Sequence, residues 1–394
     1  MTKRNSHRHT ATGLLTSLLL PAAVAAEAGA KSVPVLIGTY TGGASQGIYA
    51  CEFDATTGQL SAPKLAAEAK NPAFLAVHPQ GRFVYAVSEM SDASGKKGGA
   101  VVAWAHDAAT GLLTPLNQQA SGGAGPCHVS VDQTGQCALV ANYGSGSIAA
   151  LPIRADGRLG EAASVIQHRG SSVNASRQTG PHAHQIVTDS ANRFALVCDL
   201  GLDQILVYRF DPARATLTPN DPPFASVAPG SGPRHLVFHP NEKFVFVLNE
   251  MAATVTVFQW DSALGKLSEV ETVATLPEGF SGTRSAAEVA MHPSGRFLFA
   301  SNSGHDSVAV LAVDASSGRL KLLQHQPTQG KEPRFIGLDP SGRWLFAANQ
   351  TSGNIVVFPF DPAAGKLGAA AENLPAPVPV CLFFLPASPA SPSR

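Results

Sequence analysis

The sequence predicts an all-β chain folded as a seven-bladed β-propeller, with four antiparallel strands per blade and the ring closed by the carboxy-terminal strand joining the amino-terminal blade. Three observations lead there. The run PRFIGLDPSGRWLFAAN at 333–349 returns five more times as an apolar strand, a turn of D/H-P-x-G-R/K type and a second β-rich strand. Aligning the turn's first residue gives His78, Asp132, Asp189, His239, His292 and Asp339, spaced by 54, 57, 50, 53 and 47 residues. A period near fifty belongs to an array of blades or hairpins rather than to one continuous sheet. Next, a third strand follows each second one, at 48–53, 101–105, 148–153, 205–210, 255–260, 308–313 and 355–360. Finally, the two chain ends are complementary, each supplying what the other lacks.

Taken in order, 35–40 (VLIGTY) lines up with 139–143 (LVANY), the second strand of a repeat, and no first strand precedes it. Each third strand runs into a polar turn, usually with Asp, Gly and then Leu, as at 54–60, 107–112, 261–267, 314–320 and 361–367. Asp and Gly provide the turn and Leu opens a fourth strand, which makes a four-stranded blade. At the far end PVCLFF (379–384) resembles the opening of a repeat at 126–129 and has no second strand after it. Joined to 35–40 it completes seven blades and hides faces that an open array or a pair of sandwiches would expose. Two polar inserts break the rhythm, 168–180 and 276–285. Such loops carry function or are plain surface.

At 394 residues the chain has room for two domains, but stacked repeats share one core, so a single propeller over 33–385 is expected. Lys plus Arg and Asp plus Glu are both 28, leaving no global field to attract nucleic acid. The amino terminus carries Lys3, Arg4 and Arg8, an apolar stretch at 14–20 and small residues at 23–26. That is the layout of a cleaved signal peptide, 1–26, and places the mature chain in the periplasm or outside the cell. Its apolar core is shorter than the ~20 residues of a membrane span, and no later segment is long enough. Cys51, Cys127, Cys137, Cys198 and Cys381 are odd in number and lack metal-site spacing. Export allows disulfides, and Cys127 and Cys137 lie on consecutive strands, but buried thiols are the expectation. The tail 386–394, rich in Pro, Ser and Ala, is expected to be disordered.

In a propeller the first strand of each blade lines the central channel. Five residues before the turn stand Ala73, Cys127, His184, Arg234, Ala287 and Arg334, followed by Phe74, His128, Gln185, His235, Glu288 and Phe335. The second strands end on Ser88, Asn142, Asp199, Asn249, Asn302 and Asn349, with Glu89, Tyr143, Leu200, Glu250, Ser303 and Gln350 next. A recurring Asn reads as a side chain tying down a turn. The unlike residues are the functional candidates: His182, His184, Arg234, Glu250, Glu288, Arg334 and His128. Arginine is a planar, permanently charged donor for a carboxylate or phosphate, and a nearby His or Glu can take a proton from water or a carbon acid. An ion-pair network plugging the channel would use the same residues. No G-x-S-x-G, H-E-x-x-H or phosphate-cradling loop occurs, and His182-Ala183-His184 lacks an evident third ligand, so neither metal nor cofactor is expected.

Several stretches then resemble a known family: GPCHVSVD (125–132), VANYGSGS (140–147), GPHAH (180–184), DLGLDQILVYRFDP (199–212), APGSGPRHLVFHP (228–240), VLNE (247–250), TLPEGFSG (275–282), SAAEVAMHPSGRF (285–297) and the final PVC. Over about 33–385 the chain is similar to the seven-bladed propeller lactonases, which include 6-phosphogluconolactonase-type enzymes and fungal carboxymuconate cyclases. The resemblance implies a metal-independent site at the channel mouth that opens or forms lactones. It assigns catalysis to His184 (or His182), Arg234 and Glu250, and places His128, Glu288 and Arg334 in matching motifs. Where many relatives read S-N-R-G, this chain reads Ser301-Asn302-Ser303-Gly304, which removes an anion clamp.

The expected function is hydrolysis of a sugar-type lactone, 6-phosphogluconolactonase-like and, given export, on an unphosphorylated aldonolactone. Arg234 would hold an oxygen while His184 or Glu250 activates water. An isomerase closing carboxymuconate and a non-catalytic exported propeller binding a glycan or protein are the alternatives. The partner is a small lactone or carboxylate, the chain a monomer.

Overall fold

A computed structural model of the protein describes residues 1–2, 32–90 and 98–385. The expected signal peptide, beyond its first two residues, and the tail 386–394 lie outside the described residues. Every named element among the described residues is a strand, and the strands form seven antiparallel sheets. The predicted propeller is borne out, including its closure. Pro379–Phe384 pairs antiparallel with Ser32–Thr39, setting Val35 opposite Phe384 and Ile37 opposite Leu382, so the first blade is built from both ends of the chain. Its outer strand, like that of the seventh blade, is split in two.

Burial follows position within the blade. Second strands such as Cys137–Asn142, Phe194–Asp199, Phe244–Asn249 and Phe297–Asn302 are buried at every residue, because a neighbouring blade covers each face. That is why they read as unbroken apolar runs rather than alternating ones. Outer strands such as Lys266–Ala274 are largely exposed. Across the closure, Phe53 of blade 1 packs edge-on against Phe346 of blade 7 at 4.8 Å and Phe384 at 6.0 Å between ring centroids.

The repeated turn residue has two jobs, according to its type. Asp132 turns inward on its own loop and accepts from the Gln136 and Cys137 N–H groups at 2.7 Å each. His78, His239 and His292 accept an N–H of their own turn at Nδ1 and donate from Nε2 to the glycine carbonyl of the next blade's turn, at 3.1, 2.9 and 3.2 Å to Gly135, Gly295 and Gly342. Gly135 therefore answers two demands: its φ of 73° favours glycine, and a Cβ there would collide with the His78 ring.

The feature that positions the site is a register break shared by five inner strands. Pro126, Ala183, Pro233, Pro333 and Pro379 pair normally, and pairing resumes two residues later, leaving Cys127, His184, Arg234, Arg334 and Val380 unpaired. Each is a β-bulge at the first turn of the channel. A bulge re-aims its side chain and interrupts the alternation of faces, so Arg234 and His235 both line the same cavity.

Phe53→Ala is expected to lower the unfolding free energy by about 3–5 kcal/mol, measured by urea denaturation, because it empties the contact that joins the two chain ends. A loss below about 1 kcal/mol would mean that the closure does not limit stability.

Candidate active site at the channel mouth

Two cavities meet where the bulged residues converge. The inner one, about 10 Å³, is walled by Tyr40, Phe74, Glu89, Cys127, His184, Arg234, His235, Glu288 and Arg334 among others. That volume takes about one water-sized group. The outer one, about 180 Å³, is lined by Arg234, Glu250, Ser285, Ser303, Glu332 and Arg334 with Ala286 and Ala287. Arg234 and Arg334 stand between the two.

Arg234 is 3% exposed, donates to the Ala287 carbonyl, and pairs through Nε with Glu250 Oε2 at 3.2 Å. Burial, and then Arg334 beside it, both weaken its hold on its proton, so these guanidiniums repel one another in a poorly solvated place. An anion between them relieves that cost. Arg334 donates to the Tyr40 hydroxyl at 2.9 Å and lies over its ring, and Tyr40 donates to Glu89 at 2.7 Å. Burial raises the Glu89 carboxyl from its usual range against the opposing pull of Tyr40 and the two arginines.

Glu250 is held from both sides. Oε2 meets Arg234, and Oε1 accepts from Arg177 at 2.7 Å, while Arg177 also donates to the Tyr143 hydroxyl at 3.1 Å. Arg177 comes from the 168–180 insert, whose start is pinned by a buried pair, His168 Nδ1 to Asp199 Oδ2 at 2.7 Å. Asp199 occupies the place of the recurring Asn, and its other oxygen accepts the His182 and Gly201 N–H groups at 2.8 and 3.1 Å. Asn142, Asn302 and Asn349 each donate to the carbonyl of the strand or loop behind them, the structural part read for them from sequence. The second insert contributes Ser285, bonded to Ser303 at 2.9 Å.

The imidazoles are neutral. Burial first, then neighbouring arginines or one another, pushes His128, His184 and His235 well below the usual histidine range. Nδ1 of His128, Nδ1 of His184 and Nε2 of His235 are buried with no hydrogen-bond partner among the described residues. His235 Nδ1 meets Glu288 Oε1 at 2.8 Å. Cys127 is free, and burial pushes its thiol up to about 12, so it offers no thiolate at neutral pH.

Of the residues singled out from sequence, His184, Arg234, Glu288 and Arg334 line the inner cavity, and Arg234, Arg334 and Glu250 the outer one. His128 lies packed on Phe74, ring centroids 4.3 Å apart, and His182 is turned aside, stacked on Tyr143 at 4.5 Å with Nδ1 on the Tyr143 carbonyl. Neither is among the groups lining the two cavities. The sequence candidates omitted Tyr40, Glu89, Arg177 and His235. Tyr40 aligns with Tyr143 and Glu89 with Glu250 in the repeat, a signal that was there to use; Arg177 sits in an insert with no register, and only the fold brings it over.

The family model for lactonases of the seven-bladed β-propeller kind matches residues 34–384. The chain belongs to that family. It is 36% identical over 298 residues to the 6-phosphogluconolactonase of Bacillus subtilis, an alignment covering 76% of this chain and 82% of that protein. Among solved structures it is similar to the periplasmic gluconolactonase of Pseudomonas aeruginosa, with a TM-score of 0.85 and 33% identity over 91% of this chain and all of that one. A Lactobacillus plantarum protein gives a TM-score of 0.82 at 31% identity, covering 90% of this chain and 100% of the other.

Iodoacetamide at pH 7.5 is expected to leave Cys127 of the native protein unlabelled in peptide mass spectra, and to label it only in denaturant. Native labelling would contradict the buried, protonated thiol.

Proposed function

We propose that this protein is a lactone hydrolase of the 6-phosphogluconolactonase type, exported, and acting on an unphosphorylated aldonolactone. The observation that carries the reading is the pair of buried guanidiniums, Arg234 and Arg334, standing between a cavity fit for one sugar ring and a niche fit for one oxygen. Ester hydrolysis builds negative charge on the former carbonyl oxygen, and fixed donors aimed at that atom in a dry site are the largest aid to such a reaction. The ring occupies the outer cavity and its carbonyl oxygen points inward between the arginines.

Glu250 is the group best placed to take a proton from the attacking water. It lies between two arginines, faces the outer cavity, and keeps lone pairs beyond those that Arg177 and Arg234 engage. His184, expected from sequence to share this role, is held neutral and weakly basic in the inner wall, where it touches the carbonyl end of the substrate instead.

Substrate choice follows from the rest of the outer lining. Beyond the arginines it presents the Ser285 and Ser303 hydroxyls and the Glu332 carboxylate, and Lys331 at the adjoining rim is paired with Asp306 at 3.1 Å. Hydroxyls and carboxylates suit the alcohols of a sugar acid and oppose a second, dianionic group. The amino-terminal pattern and the periplasmic relative support a compartment where unphosphorylated sugars are available.

Proton release from glucono-δ-lactone, corrected for spontaneous opening, tests the reading. Arg234→Ala is expected to lower kcat about 10²–10³-fold, and Glu250→Gln about 10²–10⁴-fold. A wild-type rate equal to background would sink the proposal, and turnover of carboxymuconate followed in the ultraviolet would replace it with the isomerase reading. In competition, the unphosphorylated lactone is expected to exceed its 6-phosphate in kcat/KM by about tenfold or more, the equivalent of 1.4 kcal/mol; a preference for the phosphate would reverse the substrate assignment.

A further inference from the structure

Glu288, like Glu89, is a carboxyl group of the inner wall with no arginine or lysine in a salt bridge to it among the described residues. Its Oε1 accepts the Val289 backbone N–H at 3.1 Å and meets His235 Nδ1, which donates to it in the Nδ1–H tautomer, at 2.8 Å, and its own N–H is fixed on Ser301 Oγ at 2.9 Å. The other oxygen, Oε2, has no hydrogen-bond partner among the described residues. Glu288 is 6% exposed and lines the niche, which has room for a single oxygen. His235 is itself wedged between Phe74 and His128, ring centroids 5.9 and 5.6 Å away, so Oε1 is held by a ring that cannot swing.

We propose that Glu288 works as an uncharged carboxylic acid, a catalytic residue whose Oε2 hydroxyl donates to the lactone carbonyl oxygen seated in the inner niche. With Oε1 accepting two N–H groups, a proton on this carboxyl belongs on Oε2, the oxygen that faces the substrate. Burial, the largest influence, pushes Glu288 up to about 8, against Arg234, Val289 N–H and Arg334 pulling down. The other titratable groups around it leave that state in place: His128, His184 and His235 are neutral, the Cys381 thiol is pushed up to about 12, and Glu89 is itself raised. A carboxylic acid kept neutral in an apolar recess is an effective donor to a developing oxyanion.

The inference rests on the lactonase reading and assigns one more role within it. Water adds to the carbonyl carbon as Glu250 takes its proton; the carbonyl π pair moves onto the oxygen, which Glu288 Oε2–H, Arg234 and Arg334 stabilise without giving up a proton. On collapse that pair re-forms C=O, the ring C–O bond breaks, and Glu250 returns the proton to the departing oxygen. Lactone and water become one hydroxy acid, which loses its acidic proton to solvent.

A donor and a base make opposite predictions. As a donor, Glu288 is active below about pH 8 and the rate falls as pH rises through that value; as a base, the rate would climb there instead. Glu288→Ala is expected to lower kcat about 10²–10³-fold. Glu288→Gln, whose amide accepts at one atom and donates from the other, is expected to stand at least tenfold above Glu288→Ala and to lose the alkaline fall. A Gln variant no better than Ala with a wild-type melting temperature, an alkaline fall that persists in it, or a wild-type rate that rises through pH 8 would each overturn the assignment. Infrared difference spectra of wild type against Glu288→Gln at pH 7 read the proton without any substrate: a carboxylic acid C=O band lost in the variant supports the inference, and a carboxylate band lost instead refutes it. Absence of wild-type turnover would count against the lactonase reading alone, and the infrared result would still decide the protonation of Glu288.

Discussion

The site depends on the single unpaired residue at the head of the inner strands. In a regular strand successive side chains face opposite sides, so a channel wall receives every second residue and the neighbouring blade receives the rest. The bulge interrupts that alternation at one level of the ring, and five blades do it at corresponding positions, leaving Cys127, His184, Arg234, Arg334 and Val380 at the mouth. Beneath them His235 and Glu288 form a second layer, with Phe74 packed against His235. Depth in the channel thereby becomes a chemical coordinate, from a polar sugar-sized cavity through a pair of guanidiniums to an oxygen-sized niche backed by an acid.

What suits the arrangement to the proposed reaction is also what makes it costly. Arg234 is buried beside Arg334, whose charge adds to the lost hydration in loosening its proton, whereas Tyr40, Glu89 and Glu250 outweigh burial at Arg334. Glu250 offsets part of this on one side, and Glu89 through Tyr40 on the other. Neither occupies the space between the guanidiniums, the place that the proposed reaction gives to the substrate's oxygen. In the proposed reaction both guanidiniums meet the charge that develops there, held by largely buried second strands and interlocked turns.

The two inserts show how a repeat fold acquires asymmetry. The 168–180 segment leaves the outer edge of blade 3, is tied to Asp199 through His168, and lays Arg177 across the mouth onto Glu250. Asp in place of Asn at that one recurring position gives His168 a carboxyl oxygen as partner while its second oxygen steadies the backbone of His182, two residues from His184. A structural position has thus been turned into a brace for the site by a single atom change.

The propeller was legible in the sequence because its determinants are local and repeated: the turn chemistry at His78, Asp132 and their counterparts, apolar second strands, and a first strand missing at one end and present at the other. The ring of unlike residues was legible too, since a fixed register converts sequence position into a place on the channel wall, and His184, Arg234, Glu288 and Arg334 line one cavity. His182 stood in the same motif as His184, and alternation would put the two on one face, but His182 precedes the strand and His184 is bulged, so His182 stacks on Tyr143 instead. Arg177 had no register to read, and Tyr40 and Glu89 belonged to units whose unlike members drew less notice. Sequence by itself settled the architecture and the inventory of charged groups, because strand period and turn type act over a few residues. Which oxygen of Glu288 is free, which arginine meets a carboxylate directly and how small the niche behind them is were decided by the tertiary structure alone, because burial and the distances between charges exist only once blades far apart in the chain are brought together.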